Sequence, residues 1–346
     1  MSDIGKIRAA AQRLDGHTRR TPLLHAPLLD EIAGRRVLVK AECLQLTGSF
    51  KYRGARAAVS ALSPEIRARG VLAFSSGNHA QGVALAAQQF GIPAVIIMPA
   101  DAPALKIANT RAYGAEVVLY DRANGESREA LGAELRDARG LTLIKPFDEP
   151  EVIAGQGTCG LEIAEEARAL GIEEAEVLVC CGGGGFTSGI ALALEAEAPG
   201  LRVRPVEPEG FDDVKRSLAS GHIETNNQQS GNICDAILTP APGDITFPIL
   251  QSLCGPGLAV SENDALCAMA HAFERLKVVA EPGGAVALAA ALFQADQIEG
   301  DTVICTISGG NVDADMFARA LDRGAQSFGD TSDQLEIKKS GTSDPR

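Results

Sequence analysis

Lys51 is the residue of this sequence best placed for covalent chemistry. It lies in the segment 47–54 (TGSFKYRG), directly after a glycine–serine turn and beside Phe50. If such a lysine is withdrawn from water, its pKa falls, because desolvation disfavours the ammonium form. A neutral amine is the nucleophile that forms a Schiff base with a carbonyl compound. Most lysines are solvated surface charges, so this segment needs support from elsewhere in the chain.

A run of four glycines is the second candidate element. It follows a predicted strand at 177–181 and opens a predicted helix at 186–196. Glycines let the backbone approach a ligand closely, and the free N–H groups at a helix N-terminus bind phosphate. The run matches neither the dinucleotide nor the triphosphate motif, so it favours a single phosphate monoester. The alternative is a tight turn that only needs small residues. The run consists of Gly182, Gly183, Gly184 and Gly185.

Two more small-residue loops follow predicted strands. The loop 75–79 (SSGNH) offers hydroxyl, amide and backbone N–H donors at a helix start, which suits a carboxylate. A plain capping motif is the alternative, with a structural role for the histidine. The loop 308–311 (SGGN) follows a predicted strand at 302–307. Ligands of open α/β sheets collect at these carboxyl ends of strands. The residues of the first loop are Ser75, Ser76, Gly77, Asn78 and His79.

Size and composition bound the class of protein. A chain of 346 residues with 45% hydrophobic residues suggests about two domains with large aliphatic cores. The net charge of −13 argues against nucleic acid or an anionic membrane as a partner. The first residues lack the features of a signal peptide, so we expect a cytoplasmic protein. The eight cysteines form no C-x-x-C pair and are interpreted as reduced, buried thiols.

Strand and helix patterns alternate along most of the chain, and Gly91, Gly114 and Gly140 stand where predicted helices end. Nearly continuous apolar strands between helices predict an α/β fold with parallel sheets covered on both faces. The alternation breaks between residues 211 and 261, which are predicted to be irregular. The polar composition of residues 327–346 predicts a disordered tail.

An amine, a phosphate site and a carboxylate site together suggest pyridoxal phosphate carrying an amino acid. The chain resembles the fold-type II pyridoxal-phosphate family of serine/threonine dehydratases, serine racemases and 3-hydroxyaspartate dehydratases. Segments 48–54, 75–79, 152–158, 182–185 and 308–311 carry the resemblance, which spans about residues 5–325. It implies a large cofactor-binding domain of residues 1–52 and 153–326, and a small substrate-closing domain of residues 53–152. It also implies mostly parallel sheets in both domains and a homodimer.

The resemblance implies a role for each motif residue. Lys51 holds the cofactor and later moves the α-proton, and Phe50 packs near the pyridine ring. Asn78 binds the phenolic oxygen, the four glycines hold the phosphate, and residues 75–79 bind the substrate carboxylate. Ser308 faces the ring nitrogen. A hydroxyl there leaves the nitrogen largely neutral, which favours β-elimination over transamination.

The implied reaction is dehydration of a small 3-hydroxy amino acid, with threonine, serine and 3-hydroxyaspartate as candidate substrates. An amino-acid racemase with side dehydratase activity is the alternative, because Ser76 resembles the serine of racemases that acts on the face opposite Lys51. A catalytically silent amino-acid binder is the remaining option. Ala236, where racemases have glycine, and Glu134, where some have arginine, favour dehydration.

The resemblance also implies a divalent cation, Mg²⁺ or Ca²⁺, held by the carboxylates of Glu207 and Asp213 and the backbone carbonyl of Phe211. An ordinary acidic surface loop is the alternative for this segment. Specificity for 3-hydroxyaspartate would require a cation near its second carboxylate, and Arg53 and Lys145 are conceivable for that role.

Overall fold

The computed structural model of the chain describes residues 2–75, 77–102, 104–121, 124, 126–228 and 230–324. Two predictions fall outside this part of the chain. They concern Ser76 and the tail 327–346.

The described strands form two separate sheets. The larger has six strands in the order β1-β2-β10-β7-β8-β9, and the smaller has four in the order β5-β4-β3-β6. Only the β1–β2 pairing is antiparallel; the other pairings among these strands are parallel. The strands are β1 (Leu23–His25), β2 (Arg36–Ala41), β3 (Val71–Phe74), β4 (Ala94–Pro99), β5 (Glu116–Tyr120), β6 (Thr142–Leu143), β7 (Ala175–Cys180), β8 (Leu201–Pro208), β9 (Leu258–Val260) and β10 (Thr302–Ile307).

Helices connect these strands and cover both sheets. Parallel neighbours require such crossover connections, because a tight turn cannot bring the chain back to the same end of the sheet. The helices are α1 (Ile4–Leu14), α2 (Pro27–Ala33), α3 (Lys51–Ala61), α4 (Pro64–Arg67), α5 (Asn78–Phe90), α6 (Ala104–Ala112), α7 (Arg128–Arg139), α8 (Pro150–Ala169), α9 (Gly185–Glu197), α10 (Asp213–Ser220), α11 (Thr246–Leu253), α12 (Glu262–His271) and α13 (Pro282–Phe293).

The larger sheet has an apolar core on each face. Successive strand residues point to opposite faces, so Val37 and Val39 pack with α12 and α13, whereas Leu38 packs with α8 and α9. Helix α13 is buried from Pro282 to Leu292. A helix that is apolar on all sides must lie inside the protein, and burial of each Val or Leu side chain contributes about 1.5–3 kcal/mol.

The smaller sheet follows the same rule. Val71 and Ala73 of β3 pack in one core with the apolar faces of α3 and α5. Leu72, between them in sequence, packs on the other face with Leu131 of α7. Burial on both faces explains the continuous apolar strands that the sequence shows.

The predicted α/β class is confirmed. Helices α5 and α7 end at Gly91 and Gly140, which adopt positive φ angles of 65° and 67° as C-caps. The prediction that residues 211–261 are irregular was wrong in part, because α10, α11 and β9 lie there. These elements are short, and short elements leave weak periodic patterns in a sequence.

The division into two domains stays a prediction. Its boundaries, 52/53 and 152/153, fall inside α3 and α8. In the described part of the chain, no helix is long and apolar enough to cross a membrane. All eight cysteines are free, and all except the partly buried Cys254 are buried, as the sequence predicted.

Candidate active site

A cavity of about 200 Å³ lies between the two sheets and brings the predicted motifs together. Lys51 at the start of α3 lines it, together with the four-glycine turn before α9 and residues at the start of α5. The glycine turn follows β7 and the α5 start follows β3, so both motifs lie at carboxyl ends of parallel strands. This is where α/β folds place their ligands.

The Lys51 amine is largely withdrawn from water. Its Nζ donates a hydrogen bond to the Pro146 carbonyl at 2.7 Å and lies 5.1 Å from the centre of the Phe50 ring. Burial lowers the pKa of Lys51 to about 8, and the negative charge of Glu281 opposes this shift. The Pro146 carbonyl carries no full negative charge, so it does not offset the cost of burying an ammonium. Part of the Lys51 amine is therefore uncharged near neutral pH.

Arg53 lies close to Lys51 along α3 and faces away from the cavity. It is fully buried, and its guanidinium binds Glu42 at 2.8 Å and Glu162 at 2.6 Å. The suggestion that it reads a substrate carboxylate was wrong, because its donors are already used. Lys145 is exposed and lies outside the cavity lining. The ion pairs of Arg53 instead hold the first turn of α3, and therefore Lys51, in place.

The glycine turn is shaped for close approach. Gly184 has a φ of 87°, and a Cβ at Gly183 would lie 2.4 Å from the Phe147 ring. Helix α9 starts at Gly185 and presents its first N–H groups to the cavity. The buried hydroxyl of Thr187, which lines the same cavity, has no nitrogen or oxygen partner among the described residues. N–H groups without helical partners, together with a hydroxyl that has no nitrogen or oxygen partner, fit a phosphate monoester at this helix start.

Asn78 is held from both sides. Its Nδ2 donates to Glu281 at 2.6 Å, and its Oδ1 accepts from the Nδ2 of Asn311 at 2.7 Å. Asn311 also donates to the Thr47 carbonyl at 2.8 Å. This chain of contacts fixes the Asn78 amide and leaves its second Nδ2 hydrogen for a ligand. Glu281 lines the cavity, and burial raises its pKa to about 7.

The His79 ring is hydrogen-bonded to the protein backbone. Its Nε2 lies 2.9 Å from the Ile144 carbonyl, so Nε2 must carry the proton and Nδ1 is an acceptor. Burial, with the Lys51 charge as a second cause, lowers the pKa of His79 to about 3, which keeps the ring neutral. Only the backbone N–H of His79 is suited to a carboxylate. Gly77 and Asn78 lie beside it at the start of α5, and Ser75 also lines the cavity.

Two residues predicted to contact the cofactor, Phe50 and Ser308, differ in their access to the cavity. The Phe50 ring stacks on Phe186 with centroids 4.1 Å apart and also lines the cavity. Ser308 is buried at the end of β10, where its carbonyl accepts from the Phe50 N–H at 3.1 Å. Cys180, rather than Ser308, reaches the cavity surface. Ser76, the predicted second catalytic residue, lies outside the described residues.

Several polar residues of the cavity were not predicted from the sequence, among them Lys106, Thr187 and Glu281. Thr187 could have been found, because a hydroxyl in the first turn after a glycine run is a typical phosphate donor. Glu281 and Lys106 come from segments without a recognisable motif, and only the tertiary fold brings them here.

The predicted cation ligands lie at the end of β8. Both oxygens of Glu207 accept backbone N–H groups at the start of α10, at 2.9 and 2.7 Å. Asp213 is buried; its Oδ1 accepts from Asn226 at 2.5 Å, and its Oδ2 has no partner among the described residues. Burial, with repulsion from Asp213 as a second cause, raises the pKa of Glu207 well above its usual value. Phe211 is buried between the two carboxylates in sequence.

No group of three or more His, Cys, Asp or Glu side chains suited to a metal occurs within the described residues. The Glu207–Asp213 pair has one unpartnered oxygen and two carboxylates that repel each other. A cation that also bound a backbone carbonyl and water would satisfy this arrangement.

Comparisons with known proteins agree with this site. A family model described as pyridoxal-phosphate dependent enzyme matches residues 14–309. An L-threo-3-hydroxyaspartate ammonia-lyase from Pseudomonas sp is 43% identical over 93% of this chain and 99% of its own length. The crystal structure of a threonine deaminase from T.th. has a TM-score of 0.84 and 46% identity, over 90% of this chain and 99% of that chain.

A racemase structure is also similar. Maize serine racemase has a TM-score of 0.86 and 36% identity, over 94% of this chain and 99% of that chain. The predicted pyridoxal phosphate cofactor and fold type are thereby confirmed. The chain belongs to the family of pyridoxal-phosphate dependent enzymes.

Proposed function

We propose that this protein is an ammonia-lyase that converts a small 3-hydroxy amino acid to a 2-oxo acid and ammonia. The observation that carries the proposal is the partly buried Lys51 amine, with a pKa lowered to about 8, in one cavity with the glycine turn and the start of α5. The predicted lyase class is confirmed by the similarity to ammonia-lyases. The candidate substrates are L-threonine, L-serine and 3-hydroxyaspartate.

Different residues of the cavity would hold different parts of the cofactor. Lys51 would bind its aldehyde carbon covalently, and the glycines at 182–185 with Thr187 would hold its phosphate. The Nδ2 of Asn78, already fixed by Glu281 and Asn311, would donate to its phenolic oxygen. When bound, pyridoxal phosphate withdraws electrons from the Cα of the amino acid attached to it.

The protein's own groups then bind the substrate and move its proton. N–H groups at the start of α5 bind the substrate carboxylate, because they lack partners within the helix. The Lys51 amine takes the α-proton, for which its lowered pKa is suited. His79 stays neutral, so it adds no positive charge that would lower the proton affinity of Lys51 further. Ser308 facing the ring nitrogen stays a prediction.

A substrate panel tests the proposal. L-threonine, L-serine and the isomers of 3-hydroxyaspartate are incubated with the holoenzyme, and the release of 2-oxo acid and ammonia is measured. We expect equal amounts of the two products from at least one of these substrates. No release from any of them would contradict the proposed function.

Racemisation is the second candidate, favoured by the similarity to serine racemases and by the presence of serine at position 76 of the sequence. Incubation with L-serine separates the two functions: mainly pyruvate supports the lyase, and mainly D-serine supports the racemase. A Ser76→Ala variant that loses only D-serine formation would place Ser76 on the second face of the substrate.

A divalent cation, Mg²⁺ or Ca²⁺, between Glu207 and Asp213 is part of the proposal, with the Phe211 carbonyl as a further ligand. The unpartnered Oδ2 of Asp213 and the repulsion between the two buried carboxylates support it. The homodimer and the cytoplasmic location stay predictions from the resemblance and the sequence.

A further inference from the structure

The cavity has a second cation besides Lys51. Among its described lining residues, the positive side chains are Lys51 and Lys106, and the carboxylates are Asp235 and Glu281. Since Lys51 is committed to the cofactor in the proposed function, Lys106 is the cation left for a substrate. Arg53 and Lys145, which the sequence suggested for this task, lie outside the lining.

Lys106 forms an ion pair with Asp235, and both residues line the cavity. Its Nζ lies 3.0 Å from Oδ2 of Asp235. Lys106 belongs to α6, next to the four-stranded sheet, whereas Asp235 starts a short 3₁₀ turn whose Ile237 packs on the glycine turn. The pair therefore links α6 to the turn beside the four glycines, and both partners line the cavity.

The two partners differ in exposure. The Lys106 side chain is 20% exposed, whereas that of Asp235 is 62% exposed. An exposed ion pair contributes only about 0–1 kcal/mol, so Asp235 can turn into water at little cost. The ammonium of Lys106 stays at the cavity, where another carboxylate can replace the one that leaves.

We propose that Lys106 binds the second carboxylate of a dicarboxylic substrate such as 3-hydroxyaspartate, and that Asp235 occupies Lys106 when the substrate lacks this group. The inference rests on the proposed function and names the residue that decides between its candidate substrates. With threonine or serine, the Lys106–Asp235 pair stays intact. With 3-hydroxyaspartate, the substrate displaces Asp235.

The test is the ratio of kcat/KM for L-threo-3-hydroxyaspartate to kcat/KM for L-threonine, measured on the holoenzyme. We expect Lys106→Met to lower this ratio by about 10- to 150-fold, the range for losing a hydrogen bond to a charged group. Lys106→Arg keeps the charge and should retain the ratio within a few-fold. Asp235→Asn removes the competing carboxylate and should raise the ratio.

Lys145→Met is the matched control, because it removes a lysine that is exposed and outside the cavity lining; the ratio should not change. A readout without turnover is calorimetric binding of succinate and of butyrate, which differ by one carboxylate. The parent protein should prefer succinate, and Lys106→Met should abolish this preference.

These measurements distinguish a failure of the proposed lyase function from a failure of the proposed role of Lys106. If the parent enzyme releases 2-oxo acid from none of the candidate substrates, L-serine included, the proposed function fails, and the succinate measurement alone tests the role of Lys106. If Lys106→Met lowers both kcat/KM values equally, or leaves the ratio and the succinate preference unchanged, the role of Lys106 is wrong while the lyase function stands.

Discussion

Two groups of buried charge lie on one turn of helix α3, and they are built in opposite ways. Arg53 is matched by Glu42 and Glu162, and Glu162 also binds the buried Lys40 at 2.9 Å. Two residues earlier, the Lys51 amine donates to the Pro146 carbonyl, which carries no charge. The first group satisfies its charges, and the second places an ammonium against a neutral acceptor.

The difference separates a structural ion cluster from a reactive site. Burial alone would lower the pKa of Arg53, but the carboxylates of Glu42 and Glu162 outweigh this effect and hold it well above its usual value. In the cavity, burial without a matching partner lowers the pKa of Lys51 and raises that of Glu281. Proton exchange near neutral pH is possible only in the second arrangement.

The largest effect is expected from removing the Lys51 amine. Lys51→Ala should lower turnover by on the order of 10⁴-fold, because both covalent binding and proton transfer are lost. The free energy of unfolding of the cofactor-free variant should not fall, since the amine has no paired charge to lose. Steady-state kinetics and urea denaturation measure the two quantities. Full turnover in this variant would contradict the account.

Arg53→Ala tests the ion pairs that Arg53 forms with Glu42 and Glu162. Removing the guanidinium leaves Glu42 buried without its partner, and such a change costs about 3–5 kcal/mol. We therefore expect a large loss in the free energy of unfolding of the cofactor-free protein. Arg202→Ala, which removes an exposed pair with Glu299, is the control and should change stability by less than about 1 kcal/mol. Equal losses in the two variants would show that the Arg53 cluster is not special.

The Glu207–Asp213 pair is intermediate between the paired charges of Arg53 and the Lys51 amine, which has no charged partner in contact. A bound cation would neutralise the repulsion between its two carboxylates. After treatment with EDTA, adding Mg²⁺ at about 100 times its Kd should stabilise the protein by about 2.7 kcal/mol. Asp213→Asn should abolish this gain, whereas Asp212→Asn, next to it in the chain, should retain it. Thermal unfolding with and without Mg²⁺ or Ca²⁺ is the measurement. An equal gain in the Asp213 variant would exclude this site.

The smallest expected effect concerns the pH at which Lys51 becomes reactive. The amine must be neutral to capture pyridoxal phosphate, so the capture rate of the cofactor-free protein should rise with pH around a midpoint near the Lys51 pKa of about 8. The negative Glu281 stabilises the ammonium; Glu281→Gln therefore moves the midpoint to lower pH. Glu281→Asp keeps the charge and should move it less. Stopped-flow absorbance of cofactor binding gives both midpoints, and a shift to higher pH would contradict the assignment.

The sequence predicted the elements that obey local rules. Strand β10 has the predicted bounds, 302–307, because its apolar residues are followed directly by the small-residue loop 308–311. The helix stops at Gly91 and Gly140 follow from the preference of glycine for positive φ. Lys51 and the glycine turn could be found because each lies in a compact motif.

The sequence could not predict which distant side chains the tertiary fold brings into the cavity. Nothing local distinguishes Arg53 from Lys106 as a ligand for a substrate carboxylate; only the fold buries one against Glu42 and opens the other to the cavity. Glu281 precedes α13, an apolar helix whose pattern predicts burial but not a contact with Asn78, which is 203 residues away in the chain. Such contacts depend on how the two sheets face each other.

Borohydride reduction of the holoenzyme followed by peptide mapping shows directly which lysine binds the cofactor. The described lining of the cavity includes two lysines, and the one without an ion pair in contact should carry the cofactor. The account predicts a pyridoxyl adduct on Lys51 and none on Lys106, whose charge is matched by Asp235. An adduct on Lys106, or a peptide containing unmodified Lys51 after complete reduction, would contradict it.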